Sequence, residues 1–91
     1  MAGDVRLLVE ALDHLKSGGL RMGADWERAH EIAQAHEGEA AFDWLHALCH
    51  RIEGDDWNAD YWYRRAGRAR QDGTLEAEWA LMRETLTAPG E

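Results

Sequence analysis

A chain of 91 residues with a formal net charge of −8 is long enough for one domain, and its charge argues against general nucleic-acid binding. No apolar run approaches the roughly 18 residues that a membrane-spanning helix needs, so we expect no membrane partner. The single cysteine, Cys49, excludes an internal disulfide framework and is typical of a reducing compartment. Because the first four residues carry no basic segment that would open a secretory signal, the predicted location is cytoplasmic.

Amphipathic segments with helical periodicity account for most of the chain, and no segment shows the alternation of a strand. Five helices are predicted, at about residues 4–17, 25–37, 39–53, 56–70 and 74–87. All five belong to a single domain over residues 1–91, so the predicted fold class is all-α.

The first predicted helix has a one-sided apolar stripe and ends at a glycine pair. Asp4 is positioned to cap its start, and Gly18 and Gly19 are positioned to stop it. After a Gly-rich linker, Asp25 is positioned to cap the second helix and Gly38 to end it. The apolar faces of these two helices are Val5, Leu8, Leu12 and Leu15, and then Trp26, Ala29, His30 and Ala33.

The third and fourth predicted helices form a hairpin with the spacing of a tetratricopeptide-type repeat. Three small residues and one tyrosine recur at intervals of five, four and three residues, namely Gly54, Ala59, Tyr63 and Ala66. Small residues there allow the two helices to approach closely, and Ala47 occupies the matching position of the third helix. A single repeat cannot bury its own faces. We therefore predict a compact bundle of about five helices built around this tetratricopeptide-like hairpin.

The last predicted helix follows a turn at Asp72 and Gly73, where Thr74 is positioned as its cap. Its apolar stripe recurs at intervals of four, three and four residues, namely Leu75, Trp79, Met82 and Leu86. This stripe predicts that the helix packs on the rest of the bundle with one face.

Four short runs of the chain resemble a group of short helical proteins of unknown function that occurs in bacteria and fungi. The runs are WERAHE at 26–31, WLHA at 44–47, HRIEGD at 50–55 and NADYWYRRAG at 58–67. The resemblance spans about residues 26–70, and it implies a helical fold without an assigned activity. It includes His30, His46, His50 and Glu53. The part from residue 54 to 66 also resembles tetratricopeptide and Sel1-like repeats, which are protein-binding modules.

Three histidines and a glutamate have the spacing of a metal site. His46 and His50 are four residues apart on one helical face, and Glu53 stays near that face. Because His30 faces them from the preceding antiparallel helix, the set suits Zn²⁺ or another transition metal. No glutamate follows His46 directly, as it would in a zinc-protease helix. The alternative, which is more common for such histidines, is that His30 and His46 are half-buried core residues bonded to each other or to polar neighbours.

The fourth predicted helix has an aromatic and basic side opposite its apolar side. This second side consists of Trp57, Tyr61, Arg64 and Arg68, at intervals of four, three and four residues. If it is exposed, its composition is that of interface hot spots, and it would bind an acidic protein partner. The alternative is that Trp57 and Tyr61 pack under another helix while the arginines reach solvent or complement the helix C-terminus.

No catalytic motif is present, because the glycines are isolated helix stops rather than a phosphate-binding loop, and no catalytic residue is assigned. The function predicted from the sequence is a protein-interaction module that binds a protein partner or another copy of itself. The alternative is a metal-binding protein that uses His30, His46 and His50, with hydrolytic or redox activity. We expect no cofactor other than a transition metal at those histidines.

Overall fold

Five α-helices make up the part of the chain that the computed structural model describes, residues 2–70 and 72–87. They are α1 (Ala2–Ser17), α2 (Ala24–Gln34), α3 (Ala40–Glu53), α4 (Asp56–Ala66) and α5 (Leu75–Thr87). No strand occurs within these described residues, so the all-α prediction is confirmed. None of the described helices combines the length and apolar character that crossing a bilayer requires.

The central helix of the bundle is α3, which contacts each of the other four helices. All residues from 42 to 49 are buried, so this stretch has no solvent-facing side. A helix that is surrounded in this way carries its polar side chains into the interior. Asp43 and His46 are therefore 1% and 2% exposed, beside the apolar core.

The α3–α4 hairpin turns at Gly54, whose backbone has a left-handed φ of 87°. A Cβ atom at this position would meet no other atom within 4 Å. Gly54 is thus needed for its backbone conformation, and the prediction that it marks a close approach of the two helices is wrong. Ala59, by contrast, is fully buried. The tetratricopeptide-like character of the hairpin stays a prediction.

Two helices end earlier than their sequence patterns indicate. α2 ends at Gln34 instead of near residue 37, and α4 ends at Ala66 instead of near residue 70. The cause in α4 is Gly67, whose left-handed φ of 74° reverses the chain. The amides of Gly67 and Arg68 then donate to the carbonyls of Arg64 and Tyr63, at 3.1 and 2.9 Å. Arg68 consequently lies outside the helix on which it was predicted.

Two of the predicted helix caps are also wrong. α1 begins at Ala2, so Asp4 lies inside the helix rather than at its cap. α2 begins at Ala24, and the Asp25 carboxylate instead accepts a hydrogen bond from Nδ1 of His14 at 2.8 Å. α4 has a side-chain cap, because the Asp55 carboxylate accepts a hydrogen bond from the Asn58 backbone amide at 3.1 Å.

The last helix is attached to the bundle through very few buried side chains, of which Glu78 and Met82 are the fully buried ones. The Glu78 carboxylate accepts hydrogen bonds from Trp44 Nε1 at 3.0 Å, from Arg51 Nη1 at 2.7 Å and from the Tyr63 hydroxyl at 2.6 Å. This buried carboxylate therefore connects α5 to both helices of the hairpin.

Candidate functional site

His30, His46 and His50 converge on one point between α2 and α3. Each ring offers a nitrogen, and the three nitrogens all lie within 4.8 Å of one another. Nε2 of His30 is 3.1 Å from Nε2 of His46. The predicted convergence of the three histidines is therefore present in the structure, and we call these residues the histidine cluster.

The spacing of the histidine cluster fits a small metal ion. Two imidazole nitrogens that bind one tetrahedral Zn²⁺ at 2.0–2.1 Å lie about 3.4 Å apart. The His30–His46 nitrogen pair, at 3.1 Å, is already close to that value. The His50 nitrogen lies at most 4.8 Å from the other two, so a small movement of its side chain would bring it to the same spacing.

Two tryptophans hold the cluster from either side. The Trp26 ring stacks on His30 with ring centres 4.7 Å apart, and the Trp62 ring stacks on His46 with ring centres 3.9 Å apart. Trp26 is itself fixed, because its Nε1 donates to the Cys49 carbonyl at 2.8 Å. Neither tryptophan was assigned to the site from the sequence, although Trp26 lies one helical turn before His30.

Glu53 contacts the outer nitrogen of His50 rather than the centre of the cluster. Its Oε1 is 2.8 Å from His50 Nδ1. A carboxylate at this place accepts a hydrogen bond from Nδ1–H, and the neutral tautomer with that proton keeps a free lone pair on Nε2. Glu53 was predicted as a fourth ligand. Its position is instead that of the carboxylate that orients a metal-binding histidine.

His46 is the most buried member of the cluster, and it is incompletely hydrogen-bonded. Its Nδ1 is buried and has no hydrogen-bond partner among the described residues. Burial, followed by the positive charge of the neighbouring His30 and His50, lowers the pKa of His46 to about 3. The ring is therefore neutral near pH 7, which is the state that a metal ion requires.

The pKa of His30 is lowered overall, although nearby carboxylates act in the opposite direction. Burial is the largest influence and lowers the pKa of His30, followed by the effect of His50. The carboxylates of Glu53, Glu37 and Glu31 each raise the pKa by electrostatic attraction. The same carboxylates would attract a cation to the cluster.

Cys49 does not belong to the ligand set. Its side chain is fully buried, and burial raises the pKa of the thiol far above its ordinary range. The thiol is therefore protonated in the metal-free protein, and it is not among the groups that lie close enough to share an ion with the three histidines.

The predicted partner-binding side of α4 is divided by the early end of the helix. Trp57 is 74% exposed and Arg64 is exposed, while Tyr61 is half-buried. Arg68 turns away, and its guanidinium lies 3.5 Å from the centre of the Trp44 ring. The alternative that Trp57 packs under another helix is wrong within the described residues. We call Trp57, Tyr61 and Arg64 the α4 face.

Comparison of the chain with protein-family models, with curated proteins and with solved structures finds no match.

Proposed function

We propose that this protein binds a divalent transition-metal ion through His30, His46 and His50. The observation that carries the proposal is that one nitrogen from each of the three rings lies within 4.8 Å of the others. Three imidazoles from two adjacent helices can adopt tetrahedral coordination and leave one position for water or another ligand.

The donor atoms indicate which metals fit. Neutral imidazole nitrogens suit Zn²⁺, Cu²⁺ and Ni²⁺, whereas Cu⁺ and iron–sulfur clusters require thiolates or thioethers. The only cysteine of the chain has a buried, protonated thiol. We therefore propose one of these three divalent ions, and Zn²⁺ is the probe of the test below.

The carboxylate of Glu53 supports this proposal in a second way. It accepts a hydrogen bond from Nδ1–H of His50, which favours the ring tautomer with Nε2 available for the metal. Histidine ligands in metal sites usually donate their second nitrogen to such a partner. His50 has this arrangement, and His46 does not, because its Nδ1 lacks a partner within the described residues.

The proposal is tested by zinc titration of protein that was purified without a histidine tag and stripped with EDTA. We expect calorimetry and elemental analysis to give one zinc ion per chain, and Co²⁺ to give the visible bands of tetrahedral coordination. His46→Leu should abolish binding. His14→Gln is the matched control, because His14 is bonded to Asp25 and lies outside the cluster.

Absence of stoichiometric binding, or equal affinity in His46→Leu, would overturn the metal proposal. The three rings would then be hydrogen-bonded core residues. In that case the 3.1 Å contact between His30 and His46 is an N–H···N bond between two neutral imidazoles.

A second candidate function, protein interaction through the α4 face, is favoured by one observation. Trp57 is the most exposed large apolar side chain of the described residues, at 74%. Exposed tryptophan beside arginine is the composition that dominates binding energy at interfaces. A partner that covers the face should shift the indole N–H signal of Trp57 in an NMR spectrum, and Trp57→Ala should weaken its binding.

A further inference from the structure

The charges around the α4 face are divided along the helix. Asp56 and Asp60 lie in its first half, with side chains that are 64% and 42% exposed. Arg64 and Arg65 lie in its second half, and both are exposed. The outer surface of α4 is therefore acidic at one end and basic at the other.

Contacts within the chain neutralise part of the charge at each end of α4, but not all of it. Arg70 reaches both Asp56 and Asp60, at 3.1 and 3.3 Å, so two carboxylates share one guanidinium. Arg65 bonds to the Tyr61 hydroxyl at 3.1 Å and forms an ion pair with the Asp43 carboxylate at 4.0 Å. The Arg64 side chain makes no ion pair or hydrogen bond with any described residue. One uncompensated negative charge thus remains in the first half, and one free guanidinium remains in the second.

We infer that the partner of the α4 face is a second copy of this chain, with the two α4 helices antiparallel across a two-fold axis. A helix that is acidic at its start and basic at its end complements itself only in the antiparallel direction. The inference rests on the second candidate function, the α4 face as an interaction surface, and is independent of the metal site.

The antiparallel arrangement pairs the exposed groups reciprocally. With the axis near residue 60, Trp57 of each copy lies beside Arg64 of the other, which permits two cation–π contacts. Arg64 also comes within one helical turn of the second copy's Asp60, and both residues lie on the same side of the helix. Same-side residues face each other across an antiparallel helix pair, so each contact occurs twice.

The size of the face predicts a weak, reversible dimer. α4 has 11 residues and is about 16 Å long at 1.5 Å per residue. One pair of helices this short buries less than the roughly 800 Å² per partner of a standard stable interface. Association should therefore increase with protein concentration and be incomplete at low concentration.

Sedimentation equilibrium over a wide concentration range tests this arrangement. We expect the wild-type mass to rise from monomer toward dimer, and the Trp57 indole signal to shift with concentration. Trp57→Ala and Arg64→Glu should stay monomeric with unchanged circular dichroism. Arg21→Glu is the matched control, because it makes the same charge change at an exposed loop residue and should still dimerise.

A charge exchange tests the antiparallel contact itself. Arg64→Glu and Asp60→Arg each place two like charges across the two-fold axis, so each should be monomeric alone. An equimolar mixture of the two variants should form a heterodimer, because both contacts are then between opposite charges. Persistent dimers in Arg64→Glu, or no rescue in the mixture, would overturn the inference.

The experiments distinguish a wrong inference about the dimer from a wrong assignment of the α4 face as an interaction surface. If wild-type protein is monomeric at all concentrations, the inference that the partner is a second copy is wrong. If an extract of the producing cells then shifts the Trp57 signal, the α4 face binds a different partner. If it does not, both the inference and the second candidate function are wrong.

Discussion

Two polar clusters lie on opposite sides of α3, and they differ in how completely their hydrogen bonds are satisfied. On one side, Trp44 and Arg51 bond to the buried carboxylate of Glu78. On the other side, His46 and His50 face His30. Residues 44 and 51 share one helical face, and residues 46 and 50 lie roughly opposite at 100° per residue.

This difference in hydrogen bonding indicates that the residues around Glu78 are structural, whereas the three histidines can accept a ligand. Both Glu78 oxygens accept hydrogen bonds, and the Tyr63 hydroxyl also bonds to them. In the histidine cluster, Nδ1 of His46 is buried without a partner. The other nitrogen of this ring, Nε2, faces Nε2 of His30 at 3.1 Å, so Nε2 is the atom that a metal in the cluster would use. Glu78 and its partners Trp44, Arg51 and Tyr63, which we call the Glu78 cluster, need no further group. The histidine cluster, by contrast, has nitrogen lone pairs that a metal could use.

Removing the Glu78 carboxylate should have the largest effect on stability. Glu78→Ala leaves the Arg51 guanidinium, the Tyr63 hydroxyl and the Trp44 indole N–H without their acceptor. Breaking a buried ion pair in this way typically costs about 3–5 kcal/mol, which urea unfolding would measure. Glu76→Ala, at an exposed position of the same helix, should change stability by no more than about 0.5 kcal/mol. Equal effects of the two substitutions would show that the Glu78 cluster does not hold α5.

Acid should destabilise the metal-free protein through the histidine cluster. The pKa of His46 is about 3 in the folded protein and 6.5 without burial. The unfolded chain therefore binds this proton first as the pH falls below about 6.5. The contribution of the neutral ring to stability is fully present above that pH. It decreases by up to about 1.4 kcal/mol per pH unit as the pH falls toward the folded pKa.

Urea midpoints in EDTA between about pH 7 and about pH 5 measure this decrease, in a range where ordinary carboxylates remain mostly ionised. His46→Leu should flatten the curve, because the titrating ring is gone. Identical pH dependence in the two proteins would show that His46 is not the group responsible.

The smallest effect on stability is expected at Glu53. Glu53→Ala removes the acceptor for His50 Nδ1 at a partly exposed position, so the free energy of unfolding should change by no more than about 0.5 kcal/mol. Zinc affinity should nevertheless fall by about 10–100-fold, as for other carboxylates that orient a histidine ligand. Glu53→Gln keeps an acceptor oxygen and should lose less. Unchanged zinc affinity in Glu53→Ala would mean that the His50 orientation does not depend on this carboxylate.

The sequence predicts the five helices and the meeting of the three histidines well, because both follow from local spacing. Apolar stripes mark the helices, and a short link between α2 and α3 brings His30 opposite His46. The early end of α4 was missed, because the arginines after Gly67 continue a helical pattern that the left-handed glycine interrupts. Arg68 was therefore placed on the wrong surface.

Glu78 was also missed, and the reason is physical. Carboxylates near helix starts are usually solvated, and nothing in a single sequence shows that Trp44, Arg51 and Tyr63 will surround this one. One local signal does exist, because Glu78 lies three residues after Leu75 and four before Met82, on the apolar stripe of its own helix. A charged residue inside such a stripe predicts a buried partner.

The buried thiol of Cys49 gives the protein a built-in chemical probe of its own opening. It is the only cysteine, it is fully buried, and its carbonyl holds Trp26 and thereby α2 against α3. A thiol reagent can reach it only when helices packed around α3 separate, so the labelling rate reports how often the bundle opens there. Any ligand that links His30 to His46 joins the same two helices. Protection of Cys49 from labelling would therefore register occupancy of the histidine cluster without a signal from the ligand itself.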